Sequence, residues 1–197
     1  MILALPFSPA GAATLSYNFS TSTAVDGTQL TFDLNSELEL SVTGTYLSGE
    51  SANPEAGTVS RGTNGLGIKS TGADEDFIDG NGEKETLWLT FSDPVTLKGV
   101  RFKSQEADDE FDFIVGSTPI SANLETYVMN AGFVLLGTDG YDGTRFGIQA
   151  DEVDDDFYLS DIRFDYTPNP VPEPSTLLLV GTGLLGLMGW RRPGRRK

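Results

Sequence analysis

Carboxylates are the only abundant side chains in this sequence with chemistry to offer. The 197 residues include no cysteine and no histidine, against 29 Asp and Glu and 13 Lys and Arg. Lacking Cys, the chain can build no disulfide, thiol nucleophile or thiolate metal site. Lacking His, it can build no Ser-His-Asp arrangement and no imidazole zinc site. The acids gather in "ADEDFIDGNGEKE" (Asp74, Glu75, Asp76, Asp79, Glu83), "EADDEFD" (Asp108, Asp109, Glu110, Asp112) and "ADEVDDDF" (Asp151, Asp154, Asp155, Asp156). Calcium takes about six to eight oxygen ligands from carboxylates and carbonyls, and loops of Asp, Asn and Gly offer both. Asp74, Asp76, Asp79 and Glu83 are therefore the candidate calcium ligands, although "DGNGE" departs from the EF-hand pattern. The competing expectation is that these loops are simply solvated.

Carboxylate catalysis of the glycosidase kind needs two acids flanking a cleft at a set separation. Nothing in the sequence singles out such a pair. No enzymatic activity is expected and no cofactor is required, with a carboxylate-dependent polysaccharide hydrolase as the lesser alternative. Trp88, Tyr127, Tyr141 and Tyr158 are the aromatics that could stack on sugars in a carbohydrate-binding module. The plainer expectation for such side chains is packing on a strand face.

The elements that would position these residues are strands. "LTFDLNSELELSVTGTY" places Leu30, Phe32 and Leu34, then Leu38, Leu40 and Val42, at alternate positions. "TLWLTF", "VTLKGVRFK", "EFDFIV", "TRFGIQA" and "FYLSDIRFDY" repeat that period of two, the mark of sheets with one buried face. Turn clusters such as "GTNGLG" and "GTDGYDG" separate the runs. An all-β domain is expected over residues 14–167, as an antiparallel β-sandwich or jelly roll.

The ends differ from this body. Residues 1–13, "MILALPFSPAGAA", join a short apolar stretch to an A-x-A pattern and are expected to be a truncated signal peptide. At the other end four prolines lie between Pro168 and Pro174, so residues 168–175 are expected to be an extended linker. Residues 176–190 carry no charge and are mostly Leu and Gly. They are expected to form a single membrane-spanning helix, short against the usual ~20 residues. Residues 191–197, "RRPGRRK", form a basic tail expected on the cytoplasmic side. From Val171 onward lie five of the 13 basic residues and one of the 29 acidic ones. The body is therefore strongly acidic, which argues against a nucleic-acid partner. "GTGLLG" within the apolar run has the letters of a dinucleotide-binding turn, but too little chain follows for the strand that motif needs.

Pro-Glu-Pro, an apolar helix and a terminal arginine cluster, in that order, resemble the PEP-CTERM sorting signal of Gram-negative bacteria. The resemblance covers Val171 to Lys197. It implies that Pro172, Glu173 and Pro174 are the motif read by an exosortase, with the tail removed after export. It further implies an exported protein held in the membrane as a precursor, then placed in the cell envelope or extracellular matrix. Its setting would be biofilm-forming, exopolysaccharide-producing cells, with exopolysaccharide a candidate partner. The β-domain is then expected to bind or to build, with a carbohydrate-binding module as the first alternative.

Overall fold

The computed structural model describes residues 12–48, 53–70, 75–80, 83–104, 109–120, 129–130, 132–150, 152–168 and 182–184. Gly11–Thr167 forms one compact unit, and among the described residues its regular structure is all strand. Residues 182–184 are helical. The rest of the spanning segment expected over 176–190 lies outside the described residues, as do the Pro-Glu-Pro motif, the basic tail and residues 1–11. Among the described residues no helix is long and apolar enough to cross a membrane.

The longest strand is β8, Glu83–Lys103. "TLWLTF" and "VTLKGVRFK", which look like two strands in the sequence, are its two halves. The first half buries Leu87, Leu89 and Phe91, and the second buries Val95, Leu97 and Val100. Between them β8 bulges. Its partner β13 (Tyr141–Ala150) pairs Arg145 with Thr90 but Gly143 with Val95, so Thr144 alone faces the stretch from Phe91 to Pro94. Pro94 has no N–H to offer a ladder, and a bulge is where a strand tolerates that.

The opposite edge of β8 changes partner at the same place. β4 (Glu39–Ser48) accompanies it up to the pair Leu40 and Phe91. The Glu39 N–H then donates to Ser92 Oγ at 3.1 Å, closing that ladder. From Thr96 to Lys103 the partner is β14 (Asp156–Tyr166). β5 (Glu55–Arg61) pairs with β4, and β6 (Leu66–Lys69) with β5. β6 then meets β14 at Leu66 and Leu159. The circuit β8–β4–β5–β6–β14–β8 is closed, so the sheet is a barrel and these five strands leave no long free edge.

The other strands extend this frame. β1 (Ala13–Asn18) and β7 (Ile78–Asp79) lie on β14, β2 (Val25–Gly27) on β5, and β3 (Gln29–Asp33) on β4. β9 (Phe111–Val115) lies on β13 and β10 (Thr118–Ile120) on β9. β11 (Met129–Asn130) lies on β12 (Phe133–Leu135), which lies on β8. Every pairing is antiparallel.

Alternation fills the interior as expected. Leu40, Val42, Leu87, Leu89, Phe146, Ile148, Leu159 and Ile162 are fully buried. Each contributes about 1.5–3 kcal/mol of transfer free energy. Phe91 joins the layers, its ring 5.9 Å from Phe146 and 5.5 Å from Phe164. On the outside, Lys98 pairs with Asp165 and Arg101 with Asp161. The Thr14 hydroxyl and then Lys98 hold the Asp165 carboxyl below its usual range.

The segment carrying β7 crosses β6 closely, with the Ile68 N–H donating to the Phe77 carbonyl at 2.7 Å. A Cβ on Gly67 would lie 1.6 Å from the Asp76 carbonyl oxygen, so only glycine lets the crossing pass. Gly67→Ala is expected to lower stability by about 1–3 kcal/mol, the usual range for overpacking. Gly62→Ala, where a Cβ meets nothing within 4 Å, serves as the control. Equal urea midpoints for the two variants would contradict this packing.

Candidate functional site

The three acidic clusters, far apart in sequence, meet at one end of the barrel. β7 brings Asp79 opposite Asp156 and Ile78 opposite Phe157. Asp155, 2% exposed, joins the other two loops: one carboxylate oxygen accepts the Glu110 N–H at 2.7 Å and the other the Glu152 N–H at 2.5 Å. Asp109 accepts the Asp156 N–H at 3.4 Å. Glu85 is fully buried and accepts the Asp79 N–H at 3.2 Å. These carboxylates are engaged in holding loop backbone, since a buried N–H without a partner is costly.

A cavity of about 190 Å³ lies among Glu75, Phe77, Asp79, Asp154, Asp155 and Asp156. Of the four candidate calcium ligands, Asp74 lies outside the described residues, and Glu83 is described only as the first residue of β8. Asp79 is buried and Asp76 turns to the neighbouring cleft. Among the described residues no three acidic side chains are grouped to hold a metal ion.

The neighbouring cleft is built by three segments. Tyr158 rises from β14, Thr63 and Asn64 come from the turn between β5 and β6, and Thr21, Ser22 and Ala24 follow β1. The Thr21 N–H donates to the Gly62 carbonyl at 2.9 Å, and Lys103 Nζ donates to Ser20 Oγ at 2.9 Å and to the Thr63 carbonyl at 3.2 Å. These bonds hold the walls together around a volume of about 240 Å³. At the back, the Tyr158 hydroxyl donates to Asp76 Oδ1 at 2.7 Å and the Ser60 hydroxyl to Asp76 Oδ2 at 3.2 Å. The Phe77 ring rests 4.7 Å from that of Tyr158. Burial, followed by the bond to Asp76, pushes the Tyr158 phenol well above its ordinary range, so it stays protonated.

The other candidate aromatics fare differently. Trp88 is half-buried on the outer sheet face, where its Nε1 donates to Thr45 Oγ1 at 2.9 Å. The Arg145 guanidinium lies 4.0 Å over its ring, and a Cβ on Gly147 would meet the ring at 2.8 Å. Trp88 is thus enclosed between a cation and the sheet. Tyr141 packs against Phe113 at 5.4 Å. Tyr127 lies outside the described residues. Sequence reasoning missed Ser60, Thr21, Thr63 and Asn64. Thr63 and Asn64 left a trace in the turn "GTNGLG", whereas Ser60 and Thr21 left none.

Residues 170–196 match the PEP-CTERM protein-sorting motif. The match takes in the Pro-Glu-Pro triplet Pro172, Glu173 and Pro174, the apolar run and the arginines. This segment marks an exported protein, anchored in the membrane as a precursor and handled by an exosortase. No curated protein and no solved structure matches the chain.

Tyr158 and Tyr166 both keep their protons to higher pH in the folded chain, burial being the first cause in each. A phenol raised in this way stabilises the fold fully below its unfolded value of 10.0 and loses that contribution as pH rises beyond it. Tyr158→Phe removes the donor to Asp76 and is expected to cost about 1–3 kcal/mol at pH 7. That difference from wild type shrinks between pH 10 and 11.5, as wild type loses what the variant never had. Urea melts across this range check it. A constant difference would mean that Tyr158 does not titrate with folding.

Proposed function

We propose that the exported β-domain is a non-catalytic binding domain that serves in the cell envelope or the extracellular matrix. The observation that carries this reading is the sorting motif at residues 170–196, which implies export and handling by an exosortase. The disposition of the acids supports a binding role over a catalytic one. Asp155 and Glu85 hold backbone N–H groups, Asp161 and Asp165 face Arg101 and Lys98, and Asp76 accepts two hydroxyls. Carboxylates tied in this way keep a surface in shape, whereas a hydrolase needs one carboxyl free to move a proton and another free to face the reacting carbon.

Sorting would work through local chemistry. Pro172 and Pro174, with their fixed φ, would favour an extended presentation of Glu173 to an enzyme. The uncharged run after it would hold that stretch at a set depth, and the arginines would set the orientation. Glu173→Ala, expressed in a host with an exosortase, is expected to leave a precursor of full mass in the membrane fraction. Wild type should yield a shorter, released form. Identical mass and fractionation of the two proteins would overturn the assignment of Glu173 as the recognised residue.

A further inference from the structure

We propose that the cleft between Tyr158 and Asn64 binds one ring of a neutral polyhydroxylated ligand, a hexose-sized sugar unit. The proposal rests on the reading of the β-domain as a binding domain and names its ligand class.

Size comes first. Pockets for drug-sized ligands run to about 300–1,000 Å³. The cleft measures about 240 Å³, room for a single ring. Its hydrogen-bonding character is the stronger argument. The Tyr158 hydroxyl has given its one proton to Asp76 and shares its acceptor side with the Asn64 side chain, so toward the cleft it can only accept. Asp76 already accepts from Tyr158 and Ser60, one on each oxygen, and each oxygen keeps one further lone pair. The rear of the cleft therefore accepts and does not donate. The rim, Thr21, Ser22, Thr63 and Asn64, both donates and accepts. A complementary ligand carries several O–H donors directed at the rear and oxygens that accept at the rim. Vicinal hydroxyls on a ring meet both demands.

Charge excludes the obvious rivals. A chain of net charge −16, with Asp76 in the cleft, disfavours a carboxylate, phosphate or sulfate there. A divalent cation wants several anionic oxygens, and among the described residues no group of three acidic side chains is placed to hold a metal ion. Ala24 and Tyr158 line the cleft and supply its apolar contact.

The test is equilibrium binding by the full chain, kept in a zwitterionic detergent so that no glycosidic detergent competes. The probes are the methyl glycosides of glucose, galactose, mannose and N-acetylglucosamine, with sodium glucuronate and calcium chloride as charged comparisons. At least one methyl glycoside is expected to bind in the millimolar range, with glucuronate at least tenfold weaker. Asp76→Asn, which turns an acceptor into a donor, should weaken binding at least tenfold. Asn64→Leu, on the turn and away from the core, should abolish it. If Asp76→Asn fails to fold, Asn64→Leu alone decides. Absence of binding by all four glycosides would overturn the proposal. So would equal binding of glucuronate, binding of calcium alone, or a glycoside affinity unchanged in Asn64→Leu. None of these outcomes touches the sorting reading, which is tested separately by the processing of the C-terminal segment.

Discussion

Both edges of β8 need hydrogen-bond partners along its whole length, and no other strand among the described residues is long enough to serve it on its own. The solution is an exchange. At the stretch from Phe91 to Pro94 β4 gives way to β14, while β13 continues along the other edge past a bulge. Because β8 then belongs to two ladders that diverge, the strands between them can close into a ring. Closure settles where the loops go. The start of β14 and the turn between β5 and β6 are brought together by the single pair Leu66 and Leu159, and the cleft with Tyr158 lies beside that seam. The stretch before β7 can then cross β6 only over Gly67.

Much of this was legible in the sequence, and the limits have physical causes. Alternation reveals which residues face inward, so the all-β class and core positions such as Leu40, Leu87 and Leu89 were readable. It does not reveal partners. "TLWLTF" and "VTLKGVRFK" read as two strands because Ser92, Asp93 and Pro94 resemble a turn, and only the pairing shows a bulge. The acidic clusters were visible as composition, but not the direction in which each carboxylate points. Asp155 is taken up by the N–H groups of Glu152, three residues before it, and of Glu110, and the second of these bonds is set by tertiary distance and by nothing local. The cleft was least legible of all. Its walls come from residues 21–24, 62–64, 76 and 158, and no window of sequence contains them together.

The sorting segment shows the opposite case. Its recognition elements are contiguous, and their order carries the information, so they can be read without any fold. The β-domain in turn draws on nothing beyond Tyr166 for its ladders: every strand described pairs with another between Ala13 and Tyr166. Directly after the last strand come prolines, which cannot extend a sheet as donors. Loss of the chain after Tyr166 would remove none of the ladder pairs found among the described residues. That severability is what a C-terminal address requires, and it joins the two halves of the account.

The most direct measurement is the intact mass of the native protein recovered from outside the cells of a host with an exosortase. A molecule ending within the proline-rich stretch, near residues 168–175, and retaining the β-domain is the predicted result. A released protein still carrying Lys197 would contradict the account.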